Sequence, residues 1–531
     1  MSTPSFKRVS LIGLAAAAVL AAVFKLAFAI APFLPSEMPI GYVAQDEMSN
    51  FNLKSGKEVL FRGQYEREFW SGALLAQRIS AEGEPMGATS WWAVDAGEAI
   101  GTQDFNTGRL IATMKDDGTG VAFRLASLSA AQQTYLSGAI VDFVRGDRSN
   151  EIPATGKTFR QRGSVLGDIV HSRSYYVPDA TDATVFVGAN DGMLHAINAT
   201  CTSSQADLGC DATGDGGKER WAYVPSMLIP KLKQLTIDPF VHDYFVDGQI
   251  NVATIASGSK RVLVGGLGAG GKGLFALNIT GNAGLIAGTE NDVANKIMWE
   301  ITPTKVNYAS PTASNAYVNL GYTFGTVTIA KVGGVDAVIV GNGYNNGGAD
   351  TEYAGCTHAS PSYDNCGGDY EAYLYIINAG TGQLINAIKA GSSGSAADPN
   401  GLSTPAAIDS DGDGSVDTVY AGDLNGTMWK FDLAASSASV LLTTSPAQPI
   451  TSTPGVAVHP NGGYMVNCAT GNMLVPSDTT NSDEHFVYGI WDGAPVANLT
   501  LQTQTLSNRN YVHGGETTRV RRATANAMDW S

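Results

Sequence analysis

From about His171 to Asp492 the chain repeats one arrangement of apolar and polar positions. An alternating run ends in glycine, a turn follows, and a second run ends in Asn or Asp. The clearest copies are VFVGANDGMLHAIN (Val185–Asn198), VLVGGLGAGGKGLFALN (Val262–Asn278) and VYAGDLNGTMWKFD (Val419–Asp432). A longer copy has AVIVGNG from Ala337 and, after an insertion, YLYIINAGTGQLI from Tyr373. A degenerate one reads YMVNCATGN from Tyr464 and then FVYGIWD from Phe486. Period-two alternation is the signature of strands. Further short runs precede the copies: INVATIA at Ile250, GTVTIAKV at Gly325, TPAAID at Thr404 and TPGVAV at Thr453. Others follow, such as RWAYV at Arg220 and IMWEI at Ile297. Four short strands per unit, repeated with variable insertions, predict the blades of a β-propeller. One four-stranded sheet cannot bury both of its faces, whereas sheets packed face to face can.

Five such units are expected here, with a sixth upstream in VLFRGQY, GALLAQRI, SWWAVDA and RLIATM, and a seventh built from the two chain ends. The predicted fold is all-β: a propeller of about seven four-stranded blades over residues 55–531, with one or two peripheral helices. One helix is readable. Ser129 and Gln132 have capping-box spacing, Leu136, Ala139, Ile140, Phe143 and Val144 share a face, and Gly146 ends it.

The first residues depart from this pattern. Lys7 and Arg8 precede an apolar run from Val9 to Phe24, and Ala27-Phe28-Ala29 offers small residues for cleavage. Residues 1–29 therefore read as a secretory signal peptide and 30–54 as a short linker. Lys25 interrupts the apolar stretch, which argues against a lasting membrane span and leaves an uncleaved anchor as the alternative, and no later segment approaches a spanning run. Five cysteines suit an oxidising compartment. Cys201 with Cys210, and Cys356 with Cys366, could each close a local loop, leaving Cys468 as a buried thiol. The formal charge of −16 repels phosphate backbones, which argues against nucleic-acid binding.

The sharpest chemistry is Asp409-Ser410-Asp411-Gly412-Asp413-Gly414-Ser415-Val416-Asp417. Carboxylates stand at loop positions 1, 3, 5 and 9 and glycine at 6, as in the first part of an EF-hand loop. Asp409, Asp411, Asp413 and Asp417, with the Ser415 backbone carbonyl, are the expected ligands of Ca2+, a hard cation that takes several oxygens. Position 12 is Tyr420 rather than glutamate, and β runs flank the loop, so it is an EF-hand-like loop on a hairpin. The bland alternative is a solvated acidic turn. Asp211, Asp215 and Glu219 form a weaker acidic group that reads as a polar surface loop.

LGDIVHS (Leu166–Ser172), ERWAYVPS, HDYFVDGQINVA (His242–Ala253), and above all the acidic loop with VYAGDLNGTMWKFDL, resemble the type IV pilus tip-associated PilY/PilC family. LFRGQYEREFWSGAL and VDFVRGDRSNE are also similar to family segments. The resemblance implies a quinoprotein-like propeller and a calcium site at Asp409, Asp411, Asp413, Ser415 and Asp417. It also implies a pilus biogenesis factor that is not an enzyme. Such a factor sits with minor pilins and the pilus machinery at the fibre tip or outer membrane. It favours extension over retraction, and supports twitching motility and adhesion to host or abiotic surfaces. Larger members carry a von Willebrand factor A-like region before the propeller; here only residues 30–54 separate the signal from it. The chain stops at Ala527–Ser531, where the family resembles a stretch that continues into further strands, which implies truncation or a different closure.

Other features carry less. Arg145-Gly146-Asp147 spells an integrin-type tripeptide, but it ends a predicted helix, where glycine is an ordinary stop. GGLGAGGKG (Gly265–Gly273) lacks phosphate-loop spacing and lies between strands. His195, His242 and His358 have no metal spacing, and Trp221, Trp299, Trp429 and Trp491 read as packing between blades. Two rival functions remain: a calcium-dependent quinoprotein-like dehydrogenase, which AGTGQLI at Ala379 suggests, and a passive extracellular adhesin scaffold.

Overall fold

The computed structural model describes residues 53–54, 59–80, 86–87, 91–179, 181–201, 215–303, 306–307, 317–346, 368–391, 394–395, 398–445, 447–474, 478, 480–493, 506–513 and 516–523. The expected signal peptide, most of the linker, Cys210, Asp211, Cys356, His358, Cys366 and the last residues lie outside them.

Short sheets, antiparallel except for one parallel pair, follow one another in chain order. The first holds β1 (Leu53–Lys54), β2 (Val59–Glu66) and β3 (Ser71–Arg78). The second is built on β4 (Ile111–Met114), β5 (Gly120–Ala122), β6 (Tyr175–Val177), β7 (Thr184–Ala189), β8 (Met193–Asn198) and β9 (Glu219–Tyr223). The third runs β10 (Ile250–Ile255), β11 (Lys260–Gly266), β12 (Leu274–Asn278), β13 (Ile297–Ile301) and β14 (Val306–Asn307). The fourth runs β15 (Thr328–Val332), β16 (Val335–Gly341), β17 (Tyr373–Asn378) and β18 (Leu384–Lys389). The fifth runs β19 (Ala406–Ile408), β20 (Thr418–Gly422), β21 (Thr427–Asp432) and β22 (Ser437–Thr443). The sixth holds β23 (Gly455–Val458), β24 (Tyr464–Ala469) and β25 (Val487–Trp491). A last hairpin joins β26 (Leu506–His513) to β27 (Glu516–Ala523).

Alternation along each central strand explains the stacking. Val185 and Val187 pack on Val59, Phe61 and Leu74 of the first sheet, while Phe186 between them packs toward Leu263 and Phe275 of the third. Val262 and Val264 meet Val338 and Val340 of the fourth sheet. Ala337 and Ile339 turn the other way, onto Val419, Ala421 and Phe431 of the fifth. Tyr420 and Met428 then pack on Val466 and Ile490 of the sixth. Successive residues point to opposite faces of a strand. An unbroken apolar run therefore supplies both faces, and each large side chain buried contributes roughly 1.5–3 kcal/mol.

The short runs read in the five downstream units do form strands, but four strands per unit holds only in the fourth and fifth sheets. The second, third and sixth have six, five and three among the described residues, and the structure also corrects the upstream unit. SWWAVDA is not a strand: Trp91 and Trp92 donate their indole N–H groups to the Ala199 and Thr200 carbonyls, at 3.1 and 2.8 Å. Asp95 then accepts the Glu98 N–H and starts α1 (Ala96–Gly101). RLIATM does form β4, but it leaves the first sheet and pairs in parallel with β9. The seven-blade count is not reached among the described residues, where β26 and β27 pair only with each other.

The readable helix is shorter than expected. Ser129 and Gln132 do exchange capping-box bonds, at 3.0 and 3.2 Å, yet they cap only a single turn. Ser137 provides a second cap, so α2 spans Gly138–Arg145 and ends at Gly146, whose φ of 121° suits glycine. It buries Val141, Phe143 and Val144, and leaves Ala139 outside. Two more short helices, α3 (Gly281–Leu285) and α4 (Glu290–Ala294), lie between β12 and β13. Trp221, Trp299 and Trp429 are buried in the sheet-to-sheet cores, as expected. Trp491 is only half-buried and stacks on His459.

Candidate metal centre

The acidic loop closes the hairpin between β19 and β20, whose register pairs Ile408 with Thr418. Its geometry follows from the Asp/Gly alternation. Asp409 folds the chain around its own carboxylate, accepting N–H groups from Gly412 (2.7 Å), Asp413 (3.2 Å) and Gly414 (2.8 Å). Gly412 and Gly414 take φ of 79° and 90°, where side chains are strained. The Asp411 and Asp413 carboxylates each accept the N–H two residues on. The loop is anchored at its far end. The Val416 N–H donates to the Lys331 carbonyl at 2.7 Å, and the Gly334 N–H to Ser415 Oγ at 3.3 Å, both in the fourth sheet's β15–β16 hairpin.

This fold brings together three of the expected ligands. Oxygens of Asp409, Asp411 and Asp413 lie within 4.8 Å of one another, all on exposed side chains. Asp417 is tied to the loop's start, its Oδ2 accepting the Ser410 N–H at 2.8 Å. Its Oδ1 is buried and takes part in no hydrogen bond. Burial pushes the Asp417 carboxyl up, but hydrogen bonds from Ser410, Thr418 and Asp411 outweigh it and hold it below the ordinary value. An all-oxygen set of clustered carboxylates plus one buried, unused carboxylate oxygen fits a hard divalent cation. Tyr420, at loop position 12, faces the other way: its ring is fully buried and its hydroxyl donates to Asp492 at 2.5 Å.

The weaker acidic group does not assemble. Asp215 pairs with Lys218 at 2.7 Å on the surface. Glu219 points inward, held by Arg109 at 2.7 Å and by His195 Nδ1 at 2.7 Å, while His195 Nε2 reaches Asp191 at 3.1 Å. Burial pushes the His195 imidazole down, but the Asp191 and Glu219 carboxylates dominate and raise it to about 9. Burial pushes Glu219 up, yet Arg109 and His195 hold it at about 2. This is a buried charge network. His242 is likewise buried, on Asp168. Sequence reasoning missed these partners: Glu219 lies 24 residues from His195 and 110 from Arg109, and Asp168 lies 74 from His242, while only Asp191, four residues from His195, is local.

The remaining motifs resolve as structure. Lys272 of the glycine-rich run is buried over the Tyr322 ring, and a Cβ on Gly270 would stand 1.7 Å from the Phe245 carbonyl oxygen. Arg145 of the integrin-type tripeptide is fully buried and paired with Glu290 at 2.8 Å. Cys201 is disulfide-bonded, and Cys468 is a free, buried thiol. No described helix is long and apolar enough to cross a membrane.

The family model of the PilY1 beta-propeller domain matches residues 168–440, a span that contains the acidic loop and all of the repeated hairpins except that of the sixth sheet. The chain belongs to the PilY1 family. It is 28% identical over 564 aligned residues to the type IV pilus biogenesis factor PilY1 of Pseudomonas aeruginosa, covering 89% of this chain and 43% of that protein. It is 31% identical over 418 residues to a PilY1 homologue of Xylella fastidiosa, covering 67% of this chain and 25% of the homologue. The crystal structure of the Pseudomonas aeruginosa PilY1 C-terminal domain is 30% identical, with a TM-score of 0.47 over 66% of this chain and 68% of that one. The chain thus spans less than half the length of these curated relatives.

Proposed function

We propose that this protein is a calcium-dependent type IV pilus biogenesis factor. It is exported to the cell surface, acts at the pilus tip with minor pilins and the pilus machinery, and supports twitching and surface attachment. The observation that carries the calcium dependence is the Asp409–Asp411–Asp413 cluster, with the buried, unused Asp417 Oδ1 in the same loop. Asp409, Asp411, Asp413, Asp417 and the Ser415 carbonyl would hold the ion. Bound calcium would neutralise carboxylates that otherwise repel one another. The pilus assignment is supported by the relatives, which are named as pilus biogenesis factors.

The chain's own residues suggest how binding is transmitted. Ser415 and Val416 tie the loop to the β15–β16 turn of the neighbouring sheet. A stiffened loop would therefore brace the fourth sheet against the fifth. In a strain lacking the gene, twitching restored by the wild-type protein but not by Asp413→Ala, at equal protein level, would support the reading. Restoration by both would remove calcium from it.

A second reading has one observation in its favour. Asp409 already accepts three backbone N–H groups, so the loop is a well-made turn by itself. On that reading the protein is a static scaffold, and calcium leaves its stability unchanged.

A further inference from the structure

Two imidazole–carboxylate pairs join the same two stretches of chain in reciprocal order. Residues 166–172 lead toward β6 in the second sheet, and residues 242–249 lead into β10 in the third. Asp168 Oδ2 lies 2.7 Å from His242 Nε2, and His171 Nδ1 lies 2.6 Å from Asp247 Oδ2. Each stretch thus supplies one aspartate and one histidine. The His171 N–H also donates to Asp247 Oδ1 at 3.1 Å, and the Gln249 side-chain amide donates to the His171 carbonyl. Asn190, in the β7–β8 turn, donates to Asp168 at 2.8 Å and accepts the Phe245 N–H at 2.9 Å.

The surroundings make the contacts consequential. Asp168, Asp247 and His242 are buried, while the His171 side chain keeps 34% of its surface and can exchange a proton with water. Ring centre to ring centre, His242 lies 3.8 Å from Trp70 and 5.0 Å from Tyr244, and His171 lies 5.5 Å from Tyr244. The titratable and charged groups that face the pairs are Tyr65, Tyr244 and Asp243, with Arg67 and Arg160 supplying positive charge and Asp191 negative charge. A buried carboxylate whose partner loses its charge is left uncompensated, which is costly.

We propose that the His171–Asp247 pair is an ionic latch between the stretches that lead into the second and third sheets, with the Asp168–His242 hydrogen bond beside it, engaged while His171 carries a proton and loosened when it loses it. Burial pushes the His171 imidazole down, but Asp247 and then Asp168 outweigh it and raise it above its ordinary value. For a group raised on folding, the stabilisation is complete below the unfolded value and is lost as pH rises through the folded one. The latch is therefore fully engaged below the ordinary imidazole value of 6.5 and loosens as pH rises through the raised folded one.

The test compares thermal unfolding of the full chain with that of His171→Asn from about pH 6 to about pH 10. The wild-type midpoint is expected to exceed the variant's most at the acid end, with the gap closing as pH rises. A gap of constant size would overturn the latch. Should the variant not fold, hydrogen exchange of the wild-type protein, corrected for intrinsic rates, reads the same property. Protection of residues 166–172 and 242–249 should fall across that range relative to the fifth sheet. Unchanged protection would overturn it.

Discussion

The Val416 N–H donates to the Lys331 carbonyl at 2.7 Å, so the acidic loop of one sheet is bonded to the hairpin of the sheet before it. Val416 itself is buried in the core those two sheets share, beside Ile339 and Phe431. An event at the exposed carboxylates is thereby only three residues, Asp413 to Val416, from a packed interface.

Calcium should consequently raise the unfolding midpoint. Free ion at about a hundred times its dissociation constant stabilises a one-site protein by about 2.7 kcal/mol. A chelator should reverse the rise, and magnesium at equal concentration should give a smaller one, because it tolerates crowded carboxylate cages poorly. Differential scanning calorimetry with each ion checks this.

Gly414→Ala separates loop conformation from packing. Nothing lies within 4 Å of the added Cβ, yet φ is 90° there. The expected cost is about 1–2 kcal/mol from backbone strain alone. Calcium affinity should drop while the sheet cores remain native, as near-ultraviolet circular dichroism would report.

Glu219→Gln should be far more damaging, at about 3–5 kcal/mol, because it strips the counter-charge from buried Arg109. The pH profile carries the same signature. Glu219's stabilisation is present above its unfolded value near 4.5 and is lost as pH falls through about 2. His195's is complete below 6.5 and is lost as pH rises through about 9. Urea midpoints across pH should show both losses in the wild type and smaller ones in the variant.

The integrin-type tripeptide should be inert. Arg145 is enclosed by Glu290 and by the Phe123 and Arg109 carbonyls, at 2.8, 3.2 and 3.0 Å. Attachment to integrin-bearing cells should be insensitive to a competing Arg-Gly-Asp peptide; inhibition by the peptide would contradict this placement.

Much of the fold was readable because its units are local. VYAGDLNGTMWKFD predicts β20, a turn and β21 from residues that are neighbours in sequence, and Asp423 stabilises that turn by accepting the Thr427 N–H. RLIATM also reads correctly as a strand. Which sheet it joins depends on β9, more than a hundred residues away, and nothing in its alternation records that partner. SWWAVDA looks like a strand until its two indoles find the Ala199 and Thr200 carbonyls. The acidic loop was likewise readable because its carboxylates stand at alternate positions of one short stretch. The Asp168–His242 and His171–Asp247 pairs were not, since each spans more than seventy residues and takes its meaning from the stacking of two sheets.

Calcium titration by calorimetry, with Asp413→Ala alongside, tests the central claim most directly. One strong site in the wild-type protein, abolished by the substitution, is the predicted result. No heat of binding, or equal binding by both proteins, would contradict it.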